Sequence, residues 1–292
     1  MNQQETSVSL VKRVYNNAFQ FLRTNSAYFK PFLTLAILEF LVLILLYSAP
    51  REPLRALLGP PIKTFWGEKF LHYPLNFILL PKLVSRSFMV LSIVFGSLLS
   101  GMAVSIILDI YNKKRVQIFN AFKVAIKRYL SLFGILLIIN LGYYFIGKFI
   151  SVTLIKYFYT GHSKLLFMGP KIWLGIIFIA VNFFMAILIQ AIFVYSIPAI
   201  IIDNKGFHKS IGKSIVLFFK FFIPTVLLVL LPMLLYIPII VLSSNYIFLM
   251  DKLFPEIVFY VEALSIIFSV LIIDPVVTMS TTLLYLKNKE KG

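Results

Sequence analysis

The feature that most constrains this chain is the length of its uninterrupted apolar blocks. Phe32 to Tyr47 and Val226 to Leu242 carry too few polar residues to leave a water-facing stripe at helical spacing. Helices greasy on every side are stable in lipid and not in water. Composition agrees. Only 13% of the 292 residues are charged and the mean hydropathy is +0.93, whereas a soluble domain carries roughly a quarter of its residues as charges. A β-barrel is excluded, because lipid-facing strands would alternate polar and apolar residues and these blocks do not.

Crossing a bilayer takes ~20 apolar residues per helix, and six stretches reach that length: Phe29 to Ala49, Ser87 to Ile110, Tyr129 to Ile150, Ile172 to Ile202, Phe221 to Leu242 and Ile257 to Tyr285. The expected fold is an all-α, polytopic integral membrane bundle of six transmembrane helices, one transmembrane domain over residues 1–292. The segment before the first span is polar and basic, so that span reads as a retained anchor and not a cleaved leader. The fourth and sixth spans exceed the bilayer and are expected to tilt or kink, at Pro198 and Pro275.

Charge sets the orientation. Of the 28 Lys and Arg, more than half fall on one side. They comprise Lys12, Arg13, Arg23 and Lys30; Lys113, Lys114, Arg115, Lys123, Lys127 and Arg128; Lys205, Lys209, Lys213 and Lys220; and Lys287, Lys289 and Lys291. The bias places both termini in the cytoplasm, although the first outer connection is itself basic. The net charge of +17 lies in short clusters between apolar blocks. That pattern suits anionic lipid headgroups and argues against nucleic acid.

The cytoplasmic segments share a pattern. Val11, Tyr15, Ala18 and Leu22 form an apolar stripe before the first span; Ile118, Phe122, Ala125 and Tyr129 before the third; Phe207, Ile211, Ile215, Phe218 and Phe222 before the fifth. Each is flanked by Lys or Arg, as in an amphipathic helix lying in the headgroup layer. The candidate headgroup contacts are Lys12, Arg13, Lys123, Lys127, Arg128, Lys209, Lys213 and Lys220. Each even-numbered span ends on a polar triplet: Tyr111-Asn112-Lys113, Asp203-Asn204-Lys205 and Lys287-Asn288-Lys289. These features suggest three units near 1–112, 113–204 and 205–292, each a surface helix followed by a hairpin of two spans. Similar composition, which makes any two membrane hairpins look alike, is the alternative.

In the first outer connection the short apolar run Phe77 to Leu80 reads as an interfacial helix or shallow re-entrant turn, with Trp66 and Tyr73 at headgroup depth. Tyr157, Tyr159 and Tyr246 are the expected belt aromatics of the other two.

No catalytic motif emerges. His72, His162 and His208 lie in separate connections without ligand spacing, cysteine is absent, and neither a GxxxxGK[ST] loop nor a GxSxG elbow occurs. No metal or cofactor is implied. The remaining leads are polar groups at membrane depth, where a central charge costs ~2.5–3.5 kcal/mol even on the lenient insertion scale. Glu39 lies near the middle of the first span and Asp274 inside the sixth. A functional role would be a proton or cation relay, or a pocket for a cationic headgroup. The plainer alternative for Glu39 is protonation, or pairing across the bundle with Asn140, Asn182 or Gln190. For Asp274 it is capping a helix restarted at Pro275. Ser196 and Pro198 give a similar polar-then-proline break in the fourth span, and related breaks in two even spans would open a cavity between them. Gly96, Ser97, Ser100 and Gly101 favour close helix packing on the second span.

The stretch Pro198-Ala-Ile-Ile-Ile-Asp203-Asn-Lys-Gly206-Phe-His-Lys-Ser210-Ile-Gly-Lys-Ser214 resembles a segment of a broad group of six-helix bacterial membrane proteins. That group includes the membrane domain attached to some glycerophosphodiester phosphodiesterases. There a proline-ended span leads to an acid, a glycine and an amphipathic helix with a small or hydroxyl residue facing the next span. Tyr15-Asn-Asn-Ala18-Phe-Gln-Phe-Leu-Arg-Thr-Asn25 is similar in placement. These 292 residues hold no counterpart of the phosphodiesterase barrel, so the resemblance implies a module of the bacterial cytoplasmic membrane without hydrolase activity, and no catalytic residue carries over. The leading expectation is a non-enzymatic module that organises lipid, a membrane-protein partner or a second copy of itself. A transporter or permease-like subunit with a path near Glu39 and Asp274 is the alternative, and a lipid-modifying enzyme is third.

Overall fold

The computed structural model describes residues 7–160 and 170–290. It is all-helical, with no strand among the described residues. Five helices are long and apolar enough to cross a membrane, or six if one sharply bent pair counts as a single span.

From its N-terminal end the described chain runs through α1 (Ser7–Thr24), α2 (Lys30–Tyr47), α3 (Leu54–Trp66), α4 (Leu75–Leu91) and α5 (Ser97–Tyr111). Leu33, Ile37, Leu41 and Leu45 recur every four residues on the exposed face of α2, while Phe32, Leu35, Ala36, Glu39 and Leu43 are buried on the other. A five-residue π-helix, Ser92–Gly96, joins α4 to α5, so the second span is continuous from Leu75 to Tyr111. This corrects the reading of Phe77 to Leu80. The run is helix continuous with the span, and Pro81 lies inside α4, where its missing N–H leaves the Phe77 carbonyl without its helical donor. The connection before it folds into a small cap, with Ile62 and Leu71 buried against Leu79 and the Arg86 guanidinium 5.3 Å above the Trp66 ring. Tyr73 is exposed.

Next come α6 (Ile118–Lys127), α7 (Tyr129–Thr160), α8 (Pro170–Phe193) and α9 (Ser196–Ile202). Helix α7 extends ten residues past the expected end of its span; the side chains of Tyr157, Tyr159 and His162 lie outside those described. The fourth span breaks at Val194 and Tyr195, one turn before Pro198. The missing proline N–H would have bonded the carbonyl of residue 194, so the break falls where the ladder first fails.

The remaining helices are α10 (Phe207–Lys220), α11 (Phe222–Leu234), α12 (Ile237–Ser244), α13 (Tyr246–Lys252), α14 (Ile257–Ile266) and α15 (Asp274–Glu290). Helix α10 meets α11 at 96°. The fifth span is not one helix. It stops at Leu234 and restarts at Ile237, flanked by Pro232 and Pro238. A seven-residue π-helix, Ile267–Ile273, joins α14 to α15. Asp274 has α-helical dihedrals (φ −59°, ψ −43°) and its backbone N–H bonds the Ser269 carbonyl five residues back, so the expected restart of the helix there is replaced by a continuous, locally under-wound one.

The buried face of α1 carries Val11, Val14, Ala18 and Leu22, close to the expected stripe. On α6 it is Ala121 and Ala125, with Phe122 half-buried. On α10 it is Ser210, Ser214, Leu217 and Phe218, while Phe222 is exposed. Hydroxyls therefore face inward where an all-apolar stripe was expected. Each of these helices packs on the end of an even-numbered span: α6 on α5, α10 on α9, and α1 on α15. Two of the three polar triplets end their helices in the left-handed region, at Lys113 and Asn204 (φ 53° each). The third, Lys287-Asn288-Lys289, continues as helix.

Candidate functional site

A partly open cavity of about 290 Å³ lies among α2, α5, α7, the α8–α9 break and α15. The backbone irregularities converge on it. Ser92 and Gly96 of the first π-helix, Val194 and Pro198 at the break, and Asp274 at the end of the second π-helix all line it. Non-helical backbone at membrane depth is tolerated where it is buried in protein or lines a polar cavity, and π-bulges recur at functional sites.

The lining is polar for its depth: Asp274, Asn140, Gln190, Tyr143, Ser100 and Thr278 all reach it, among apolar neighbours such as Phe32 and Leu136. Among the described residues Asp274 is its only charged one, and no Lys or Arg contributes. Asn140 donates its amide N–H to the Leu136 carbonyl at 2.8 Å, which leaves its Oδ1 as an acceptor. The Thr282 hydroxyl lines the cavity, is fully buried and has no hydrogen-bond partner. The neighbouring Thr281 bonds the Val277 carbonyl at 2.7 Å.

Glu39 is buried on α2 but does not line the cavity. Its expected amide partners point elsewhere, since Asn140 and Asn182 each donate to their own helix. Glu39 lies within electrostatic reach of Asp274, and Tyr236 within reach of Glu39, Asp274 and Glu262. Glu262, on α14, accepts a hydrogen bond from the Tyr246 hydroxyl. It is a third intramembrane acid that the sequence reading passed over, though an acid in an apolar window was the signal that picked out Glu39.

Hydroxyls from sequence-distant helices satisfy carbonyls at these irregularities. Tyr129 donates to the Val94 carbonyl inside the first π-helix at 3.2 Å, helped by Ser97 at 3.0 Å. Ser214 donates to the Ile192 carbonyl at 2.6 Å and accepts the Tyr195 N–H at 3.2 Å, spanning the break. Tyr28 donates to the Pro275 carbonyl at 2.8 Å, just past the second π-helix. Tyr15 reaches the Leu228 carbonyl at 3.0 Å, freed because Pro232 lacks the N–H that would have bonded it.

Beyond the end of the fourth span, Asp203 receives Lys213, Lys289 (2.8 Å) and the Tyr285 hydroxyl (2.5 Å). Lys213 also lies 4.8 Å from the Tyr285 ring centre. Burial of the Asp203 carboxylate acts to raise its pKa, but the three donors outweigh it and hold the group at about 2. Of the candidate headgroup contacts, Lys213 is tied to Asp203, Lys220 to Asn288 and Arg128 to Asn204; Lys12, Lys123, Lys127 and Lys209 are exposed, as is Arg13.

No family model, curated protein or solved structure matches the chain. Fold and site therefore define only a class: a helical membrane protein with a polar cavity inside its bundle.

Proposed function

We propose that the protein handles a small polar solute in this cavity, as a transporter or permease-like subunit. The observation that carries the reading is the convergence of the first π-helix, the broken fourth span and Asp274, the residue that follows the second π-helix, on one cavity. Discontinuous spans around a midplane site are the usual construction of solute sites in membranes. The lining lies in the half of the bundle nearer α1, α6 and α10. Pro198 is four residues from the end of its span and Asn140 eleven from the start of its own, so the site sits roughly 6 to 17 Å from those ends. With both termini cytoplasmic, as the Lys and Arg bias favours, it opens toward the cytoplasm.

Water access decides the matter. The chain has no cysteine, so Ser100→Cys reports on the cavity without background. Trimethylammonium-ethyl methanethiosulfonate should modify it on the order of tenfold faster than Ile37→Cys on the lipid face, because only a hydrated thiol ionises to react. Equal, slow labelling at both positions would indicate a dry bundle and end this reading.

A second reading is favoured by the exposure of Lys12, Lys123, Lys127 and Lys209. In it the same face gathers anionic lipid, and the protein is a non-enzymatic scaffold related to the phosphodiesterase-associated membrane domains. The threefold order of surface helix and hairpin supports that relation. Replacing the four lysines by Gln should lower the anionic lipid retained in native mass spectrometry; unchanged retention would count against it.

A further inference from the structure

Resting on the solute-cavity reading, we infer that the cavity selects a small primary ammonium cation, with Asp274 as its counter-charge and Asn140, Gln190 and Thr282 completing its acceptors.

Three independent observations lead there. The first is charge. In a chain of net +17, the cavity is lined, among the described residues, by one carboxylate and no Lys, Arg or His. An anionic ligand would meet only repulsion, and a neutral one would leave the acid unused. The second is the inventory of free atoms. Asn140 places one amide N–H on Leu136 and keeps Oδ1 and its second N–H, and the fully buried Thr282 hydroxyl has no partner. An –NH3⁺ group brings three donors and no acceptor, which the Asp274 carboxylate, the Asn140 Oδ1 and the Thr282 oxygen can receive. A quaternary ammonium would leave those acceptors unpaired. The third is size. An apolar cavity of ~150 Å³ holds a benzene ring, so about 290 Å³ admits an amine of about six to twelve non-hydrogen atoms with its solvating water. Phe32, Leu136 and Phe193 supply apolar wall for its carbon skeleton. Glu39, within electrostatic reach of Asp274 but behind the lining, adds to the negative potential without touching the ligand.

The test uses the full chain carrying Ser100→Cys in proteoliposomes, with ethylammonium chloride as protectant against the same thiosulfonate reagent. Ethylammonium should slow labelling at about a tenth of the concentration at which sodium chloride or ethanol, its neutral isostere, does so. Adding Asp274→Asn should raise the half-protecting concentration about tenfold. Labelling that sodium or ethanol slows as well as ethylammonium does would overturn the ammonium assignment and leave the solute cavity standing. No labelling at all would overturn both. The comparison of ethylammonium with ethanol needs no change at position 274, so it holds even if Asp274→Asn does not fold. Unchanged protection in a folded Asp274→Asn protein would remove Asp274 as the counter-charge.

Discussion

Asp203 and Asp274 occupy opposite settings on neighbouring helices. Asp203 is surrounded by donors, while Asp274 faces a cavity with none that is charged. The lowered pKa of Asp203 fixes a pH dependence. Its contribution, about 2 kcal/mol, is complete above the ordinary carboxylate range near pH 4 and fades as pH falls toward 2. Thermal unfolding of the detergent-solubilised protein should therefore show a loss of stability in that window that Asp203→Asn lacks; parallel curves would deny the cluster a stabilising role. At this scale the sequence was partly legible. Glu39 and Asp274 stand out as acids in apolar runs, and Asp203 belongs to a visible triplet. Its partners Tyr285 and Lys289 are more than eighty residues away, and local pattern carries no information about that pairing.

Among the elements, the amphipathic segments act as clamps on distorted spans. Ser214 serves two backbone groups at the α8–α9 break, so Ser214→Ala leaves both without their partner and should cost about 2 kcal/mol; Tyr129→Phe and Tyr28→Phe, which each lose one donor, should cost about 1 kcal/mol. Unfolding in mild detergent should rank them in that order, and equal small losses would show that the carbonyls find other donors. Gly101 is packed so closely that a Cβ there would lie 2.5 Å from Leu132 Cδ1 and 3.4 Å from Ala125 Cβ. Gly101→Val should therefore destabilise by about 1–3 kcal/mol, where Gly212→Ala, facing open space, should not. The small-residue cluster was legible because packing needs small side chains. The break before Pro198 was legible because proline removes a donor. The π-helix at Ser92–Gly96 was not, since under-winding without a nearby proline leaves no local mark, whereas the one at Ile267–Ile273 falls just before Pro275, where a kink was expected.

For the whole molecule, the arrangement closes on itself. Each amphipathic helix packs on the end of an even span, and α1 completes the circuit on α15. The even spans bring their irregular backbone to one cavity, which no lining residue of α11 reaches. Through apolar length the sequence pointed to six membrane-length helices, of which the structure has five, or six with the bent pair, and through paired breaks it suggested a cavity. It misplaced the start of the second span and the continuity of the fifth, because proline punctuates both and its effect depends on distance from the helix start. The central claim is that this cavity holds water and opens toward the face bearing α1, α6 and α10. Its most direct test is sided labelling of Ser100→Cys in oriented vesicles with the impermeant thiosulfonate, using Asn288→Cys and Thr64→Cys to mark the two faces. The account predicts that Ser100→Cys reacts from the same side as Asn288→Cys; reaction from the Thr64→Cys side alone, or from neither, would contradict it.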